Sequence, residues 1–273
     1  MGDAGARSIA ALHSVGSADL ILQTRGLGKD FRGFTAVDSV DLRIARGSIH
    51  ALIGPNGAGK TTCFNLLTRS LPATRGSIVY NGVDITRAAP QDVACRGMVR
   101  SFQISSVFAQ MSVLHNVRIA LQRATGLSYQ FWRSGTVLKA LDERAHALLA
   151  DVGLGADAGR RTAELPYGRK RALEIATTLA AGPELLLLDE PTQGMGLEDV
   201  AQITELIRRI AIGRTVLMVE HNMGVIAGLC DRITVLARGS VLAEGSYAEV
   251  SADAAVREAY MGGSEVALDE GAH

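Results

Sequence analysis

The sequence predicts an α/β fold in which a strand-rich opening leads into a mainly parallel, buried sheet interrupted by an inserted helical subdomain. Three observations predict it. Short β-rich runs separated by Gly and Asp fill Leu20 to Gly54; the β signal fades between about Ser105 and Ala163; strand and helix patterns then alternate as far as Glu244. Strands alternating with helices imply a sheet covered on both faces.

In the opening, Val37, Val40, Leu42 and Ile44 alternate as a half-buried strand does, and Ile49 to Ile53 is an uninterrupted apolar strand. Lys60 to Arg69 reads as a helix with Phe64, Leu66 and Leu67 on its apolar side, followed by a strand from Ser77 to Tyr80 that turns at Asn81-Gly82. In the middle, Leu114 to Gln122 and Val137 to Val152 carry apolar residues at helical spacing. Between them Thr125 to Gly135 gathers the single Trp with Tyr129 and Phe131, read as a loop folded onto its own subdomain, with a partner-docking surface as the alternative. The alternation that follows is helix Gly168 to Ala181, strand Leu185 to Leu188, helix Glu198 to Ile212, strand Thr215 to Val219, then strands Ile233 to Leu236 and Val241 to Glu244.

Composition narrows the function classes. Twenty-eight basic residues balance 28 acidic ones, so nothing resembles the dense Lys/Arg stripe that a nucleic-acid backbone requires, and no nucleic-acid partner is expected. No apolar run approaches the ~20 residues that cross a bilayer. Residues 1–18 lack a signal peptide's apolar core, and Ala6 stands where myristoylation wants Ser or Thr; this stretch is predicted to be a disordered arm. Cys63, Cys95 and Cys230 are odd in number and lack metal-ligand spacing, so they read as reduced thiols serving as small core hydrophobes.

Chemistry is concentrated in two places. Gly54, Pro55, Asn56, Gly57, Ala58, Gly59, Lys60 and Thr61 fit the phosphate-loop pattern in full, between a strand and a helix as the mechanism demands. The glycines let successive N–H groups point at phosphate oxygens, Lys60 reaches the β- and γ-phosphates, Thr61 suits Mg²⁺, and Thr62 the α-phosphate. Downstream, the apolar strand Leu185 to Leu188 ends in Asp189 and Glu190, which places two carboxylates at the mouth of the sheet. Asp189 is expected to serve Mg²⁺ and Glu190 to polarise an attacking water.

With Leu165-Pro166-Tyr167-Gly168-Arg169 opening the helix just before that acidic strand and His221 following the next strand, the chain resembles the ABC ATPase family from about Leu20 to Gly262, six motifs falling in the family's order. The resemblance implies a P-loop NTPase core with an antiparallel β subdomain and a helical subdomain inserted at about 105–181, within a domain spanning 19–263 and followed by a flexible tail, 264–273. It implies ATP and Mg²⁺ as ligands. By resemblance, Phe31 stacks on adenine, with core packing as the alternative; Gln103 touches Mg²⁺ and the attacking water; His221 contacts the γ-phosphate. Pro166, Tyr167, Gly168 and Arg169 form the signature that a subunit offers in trans to its partner's nucleotide.

Two departures stand out. The family's signature is typically Leu-Ser-Gly-Gly-Gln, so Pro166 removes a hydroxyl, Tyr167 replaces a glycine and Arg169 a glutamine. Arg169, Lys170 and Arg171 crowd a helix N-terminus, where cations are disfavoured unless an anion lies close; a nucleotide phosphate is one candidate, a solvated basic turn the other reading. Gly196 stands where the family usually has an aspartate. Both favour pairing with a related but different ATPase, a homodimer being the alternative.

The Tyr-Gly signature, the Glu190 to Met195 run, the Glu220 to Met223 stretch and the ending Val256 to Gly262 look like the branched-chain amino-acid importer ATPases. The expected partners are membrane-spanning permease subunits, a second ATPase and, indirectly, a solute-binding protein. The expected location is cytoplasmic, peripheral on the inner membrane. Urea, amide or aromatic-acid import fits equally. A lipid-exporting ATPase of the lipopolysaccharide type and a soluble switch ATPase are the alternative functions; a small-molecule P-loop kinase would leave the signature helix and Gln103 without purpose.

Overall fold

Two sheets and a set of helices make up the computed structural model, which describes residues 19–101, 107–124 and 135–261. The expectations for the N-terminal arm, for Gln103, for residues 125–134 of the aromatic segment and for the tail lie outside the described residues.

The first sheet is antiparallel. A long strand, β1 (Leu20–Phe31), pairs with β2 (Phe34–Val40), β3 (Arg43–Ala45) and β5 (Arg75–Tyr80), and β5 carries the short β6 (Val83–Asp84). Both hairpin turns follow from backbone chemistry: Arg32-Gly33 and Asn81-Gly82 all have positive φ, the pairing that matches the twist of two-residue hairpins.

The second sheet holds the sites. Its order is β11 (Ser240–Gly245), β10 (Arg232–Ala237), β4 (Ile49–Ile53), β9 (Thr215–Val219), β8 (Leu185–Asp189) and β7 (Met98–Arg100). All pairs are parallel except β10 with β11. Strands β4, β8 and β9 are buried at every residue, and alternate residues feed different cores. Ile49, Ala51, Ile53, Leu186, Leu188, Val216 and Met218 pack toward the helical side. Leu52, Leu185, Leu187, Leu217 and Val219 pack toward the antiparallel sheet and α1 (Lys60–Leu67). A strand covered on both faces needs no polar alternation, which is why these runs read as continuous apolar stretches.

Helices α2 (Pro90–Cys95), α3 (Val113–Ala124) and α4 (Gly135–Asp151) precede α5 (Tyr167–Leu179). Leu121 and Val117 of α3, Leu149 and Ala145 of α4 and Leu173 of α5 share one core, each buried side chain contributing about 2 kcal/mol for the leucines. Helix α6 (Leu197–Ile210) buries Ile203, Leu206, Ile207 and Ile210, spaced by three or four, and exposes charges on its other face. It ends two residues before the sequence expectation. Then come α7 (Met223–Leu229), α8 (Tyr247–Ala252), which Ser246 opens through a capping box with Glu249, and α9 (Ala254–Met261). The cysteines do not share one environment: Cys63 is buried and Cys230 half-buried, but Cys95 is exposed, so the expectation of three core thiols is corrected there.

Candidate functional site

Five parallel strands end along one edge of the large sheet, and every described candidate from the two chemical motifs lies there. Register sets Leu52 beside Val219 and Val219 beside Asp189, so the segments leaving β4, β9 and β8 start level. Beyond β8, Ser101 donates its N–H to Leu187 O at 2.8 Å, bringing the end of β7 alongside.

The loop after β4 depends on glycine at fixed places. Gly54 has φ 149° and Gly59 φ 100°. A Cβ on Gly54 would fall well inside the Leu236 carbonyl oxygen, and one on Gly59 would lie 2.6 Å from Ala36 O. Gly57, at φ 78°, faces open space instead. One side of the loop is therefore wedged against β2 and β10 and the other is open, the shape of a cradle. Gly59 precedes α1 with no side-chain cap, leaving the first N–H groups of that helix for an outside acceptor.

Lys60 turns its ammonium back onto the loop, donating to Gly54 O at 2.6 Å and Pro55 O at 3.0 Å. Burial lowers its pKa, while the negative charges of Glu190 and Asp189 oppose that shift. These two influences place loop cation and strand-end anions in one electrostatic unit. Thr61 is exposed and Thr62 half-buried at the start of α1.

Asp189 is 3% exposed and ion-paired to the Arg100 guanidinium. Arg100 also donates to Asn65 Oδ1 of α1 at 2.6 Å and lies over the Phe64 ring, 5.6 Å from its centroid. The two motifs read separately in the sequence are thus bridged by one arginine. The next residue, Glu190, has φ 45°, a left-handed conformation that costs a non-glycine residue about 1–2 kcal/mol. Its N–H donates to Val219 O at 2.9 Å, and Arg171 Nη2 donates to the neighbouring Asp189 O at 2.8 Å. Neighbouring hydrogen bonds hold that geometry in place.

His221 is largely exposed, and its Nδ1 lies 3.9 Å from Glu220 Oε1. Phe31 is 42% exposed at the end of β1, with the Lys29 ammonium 5.2 Å from its ring centroid, so it is not a core residue.

The signature residues open α5 (Tyr167–Leu179), which is tied to the segment leaving β8. Pro166 is the N-cap and supplies no side-chain cap; exposed Tyr167 donates its hydroxyl to Gln193 O at 3.2 Å. Gly168 packs so closely that a Cβ would lie 2.6 Å from Asp199 Oδ1. The basic cluster finds its anions at home: Arg169 pairs with buried Asp157, and Arg171 with Glu174 at 2.8 Å. The sequence assigns no role to Arg100 or Glu220 and offers Arg171 only a nucleotide phosphate or solvent; their partners Asp189, Thr192 and Asp189 are 89, 28 and 18 residues away in the chain.

The donor set near the loop consists of hard oxygens, the Thr61 hydroxyl and the Asp189 carboxylate, and no group of three His, Cys, Asp or Glu capable of holding a metal occurs among the described residues. That set suits a small hard cation carried in largely by substrate phosphates, as Mg²⁺ usually is.

Comparison with known proteins agrees with this geometry. A family described as ABC transporter matches residues 37–193, and one described as branched-chain amino acid ATP-binding cassette transporter matches residues 240–266. The chain is 36% identical over 249 residues to the high-affinity branched-chain amino acid transport ATP-binding protein LivG of Escherichia coli K12, covering 89% of this chain and 98% of that protein. It is 34% identical over 252 residues to BraF of Pseudomonas aeruginosa, another high-affinity branched-chain amino acid transport ATP-binding protein, with 89% and 98% covered. It is 35% identical over 243 residues to the lipopolysaccharide export system ATP-binding protein LptB of Acidithiobacillus ferridurans, with 89% and 97% covered. Among solved structures, the ADP conformation of MJ1267, an ATP-binding cassette of an ABC transporter, superposes with a TM-score of 0.79 at 28% identity, covering 89% of this chain and 99% of that one. A wedged phosphate loop facing two strand-end carboxylates, matched by these relatives over nearly their whole length, makes this chain a member of the ABC transporter ATPase family, whose members bind and hydrolyse ATP.

Proposed function

We propose that this chain is the ATP-hydrolysing subunit of an importer of branched-chain amino acids or related amino acids and amides, working from the inner face of the plasma membrane. The observation that carries this reading is the match of the C-terminal 240–266 segment to the branched-chain family together with the LivG and BraF similarity. Its partners in this reading are membrane-spanning permease subunits and, through them, a solute-binding protein. No helix among the described residues is long and apolar enough to cross a membrane, in keeping with a subunit that docks on spanning partners.

ATP lies along the loop after β4. Phe31 stacks on adenine through its ring face, which is indifferent to the hydrogen-bonding pattern of the base. The N–H groups of the Gly54 to Gly59 loop surround the β-phosphate; Lys60 exchanges its loop carbonyls for β- and γ-phosphate oxygens, and Thr62 binds the α-phosphate. Thr61 and Asp189, with Gln103, would hold Mg²⁺, which supplies positive charge against the phosphates. Glu190 accepts a proton from the attacking water as its oxygen bonds to the γ-phosphorus, and the bond to the ADP oxygen breaks. His221 donates to the γ-phosphate.

Pro166, Tyr167, Gly168 and Arg169 face the nucleotide of the partner ATPase. Because Pro166 brings no hydroxyl, the contact falls to the backbone N–H groups of the first turn of α5. A related but different ATPase is the favoured partner, since Pro166 and Gly196 weaken what a pair of identical chains could offer each other. The test is to tag the chain at its N-terminus and extract it from its native membrane in mild detergent. Recovery of two multi-spanning subunits and a second cassette with a serine-bearing signature supports the proposal; recovery as a lone soluble homodimer overturns it. The LptB similarity favours a second reading, lipid export. ATP turnover by the recovered complex decides between them: stimulation by leucine-loaded binding protein supports import, and stimulation by lipopolysaccharide supports export.

A further inference from the structure

Glu220 stands between the end of β9 and His221, with its side chain wholly buried. Four donors converge on its two oxygens. Oε2 accepts from Thr192 Oγ1 at 2.9 Å and from Thr192 N at 3.4 Å; Oε1 accepts from His221 N at 3.0 Å and Asn222 N at 3.1 Å. One carboxylate therefore ties the turn that follows Glu190 to the turn that carries His221. Asn222 extends the tie by capping α7, its Oδ1 accepting from Val225 N at 3.2 Å.

The residue type matters. An ionised carboxylate accepts at both ends and donates at neither; a glutamine would set its NH₂ against N–H donors at one end. Burying a charge is costly unless hydrogen bonds offset it, and merely filling this space would suit an apolar side chain better. Holding two turns in register is what the charged group accomplishes and an apolar group could not. Thr192 is itself 5% exposed, so the linkage is shielded from competing water.

We propose that Glu220 is a positioning residue for hydrolysis, fixing Glu190 and His221 relative to one another so that they meet the same γ-phosphate as one unit. This rests on the roles proposed above for those two residues. The test uses the full-length chain within the membrane complex recovered as above, with steady-state ATP turnover, affinity for a fluorescent ATP analogue and thermal unfolding measured together. Glu220→Gln is expected to lower kcat about 10- to 100-fold, the scale of a small misplacement of reacting groups, while KM and analogue affinity change less than about threefold. Thr192→Val, nearly isosteric, removes one hydrogen bond and is expected to lower kcat by a smaller factor. Placed on top of Glu220→Gln it is expected to add less than it does alone, because both changes break the same linkage.

A merely structural role would lower unfolding temperature and analogue affinity together and leave turnover per bound nucleotide unchanged; that result overturns the proposal. If Glu220→Gln does not fold, Thr192→Val decides, and wild-type kcat in that variant overturns it. Glu190→Gln and His221→Ala are measured alongside. Wild-type turnover in those two would sink the site assignment itself, whereas loss there with none in Glu220→Gln and Thr192→Val sinks only this inference.

Discussion

His50 gives the fold a computable sensitivity to acid. It lies in β4, four residues before Gly54, 1% exposed, its Nε2 hydrogen-bonded to Thr234 Oγ1 at 2.8 Å and its Nδ1 without a partner. Burial, aided by the positive charge of Arg232, pushes its pKa down to about 3 from 6.5. Above pH 6.5 the ring is neutral whether the chain is folded or not, and the group adds no pH dependence. As pH falls through 6.5 the unfolded chain takes up a proton that the folded chain refuses until about pH 3, so stability drops across that window. At pH 5, 1.5 units below the unfolded pKa, the loss is about 2 kcal/mol at 1.36 kcal/mol per unit. His50→Leu removes the titration; stranding the Thr234 hydroxyl costs about 1 kcal/mol at every pH. Urea unfolding of both proteins at pH 7.5 and pH 5 isolates the effect, since all other groups cancel in the difference. The gap between the two should change by about 2 kcal/mol in favour of His50→Leu at pH 5. A gap that is the same at both pH values would refute the argument that His50 is buried neutral.

The loop and the signature helix carry two more expectations. Gly54→Ala should cost at least about 2 kcal/mol in thermal unfolding, because the new methyl meets the Leu236 carbonyl, and more than Gly57→Ala, which adds only backbone strain in open space; equal costs would mean that the Gly54 wedge is not rigid. Arg171→Met should destabilise the chain by removing the guanidinium paired with Glu174, and should lower kcat more than ATP affinity by releasing the Asp189 carbonyl. Arg171→Lys keeps the charge beside Glu174 but cannot reproduce the guanidinium fork, and should lose turnover more than stability, as read by unfolding and ATPase assays on the same samples.

What the sequence discloses and what it conceals separate on physical lines. Strands β4, β8 and β9 were legible because both faces are buried, leaving unbroken apolar runs, and α6 because its buried residues recur every three or four positions. The phosphate loop and the Asp189-Glu190 pair were legible because their chemistry requires particular residues side by side. Short α2, α7, α8 and α9 offer too few turns for a period to emerge, and the two residues of β6 too few for an alternation. The destinations of the basic cluster could not be read at all. Arg169 and Arg171 are adjacent in type and place, yet one reaches Asp157 and the other the backbone of Asp189, because helix geometry points them in different directions. Glu220 looked like a neighbour of the histidine and is instead the buried link behind it.

If the loop after β4 binds ATP and the end of β8 hydrolyses it, Lys60→Ala and Glu190→Gln must differ when ATP affinity and phosphate release are measured side by side. Glu190→Gln should keep ATP affinity within about threefold while turnover falls by at least about 100-fold, the range of a general base, and Lys60→Ala should lose affinity itself. Equal loss of binding in both, or wild-type turnover in Glu190→Gln, would contradict that division of roles.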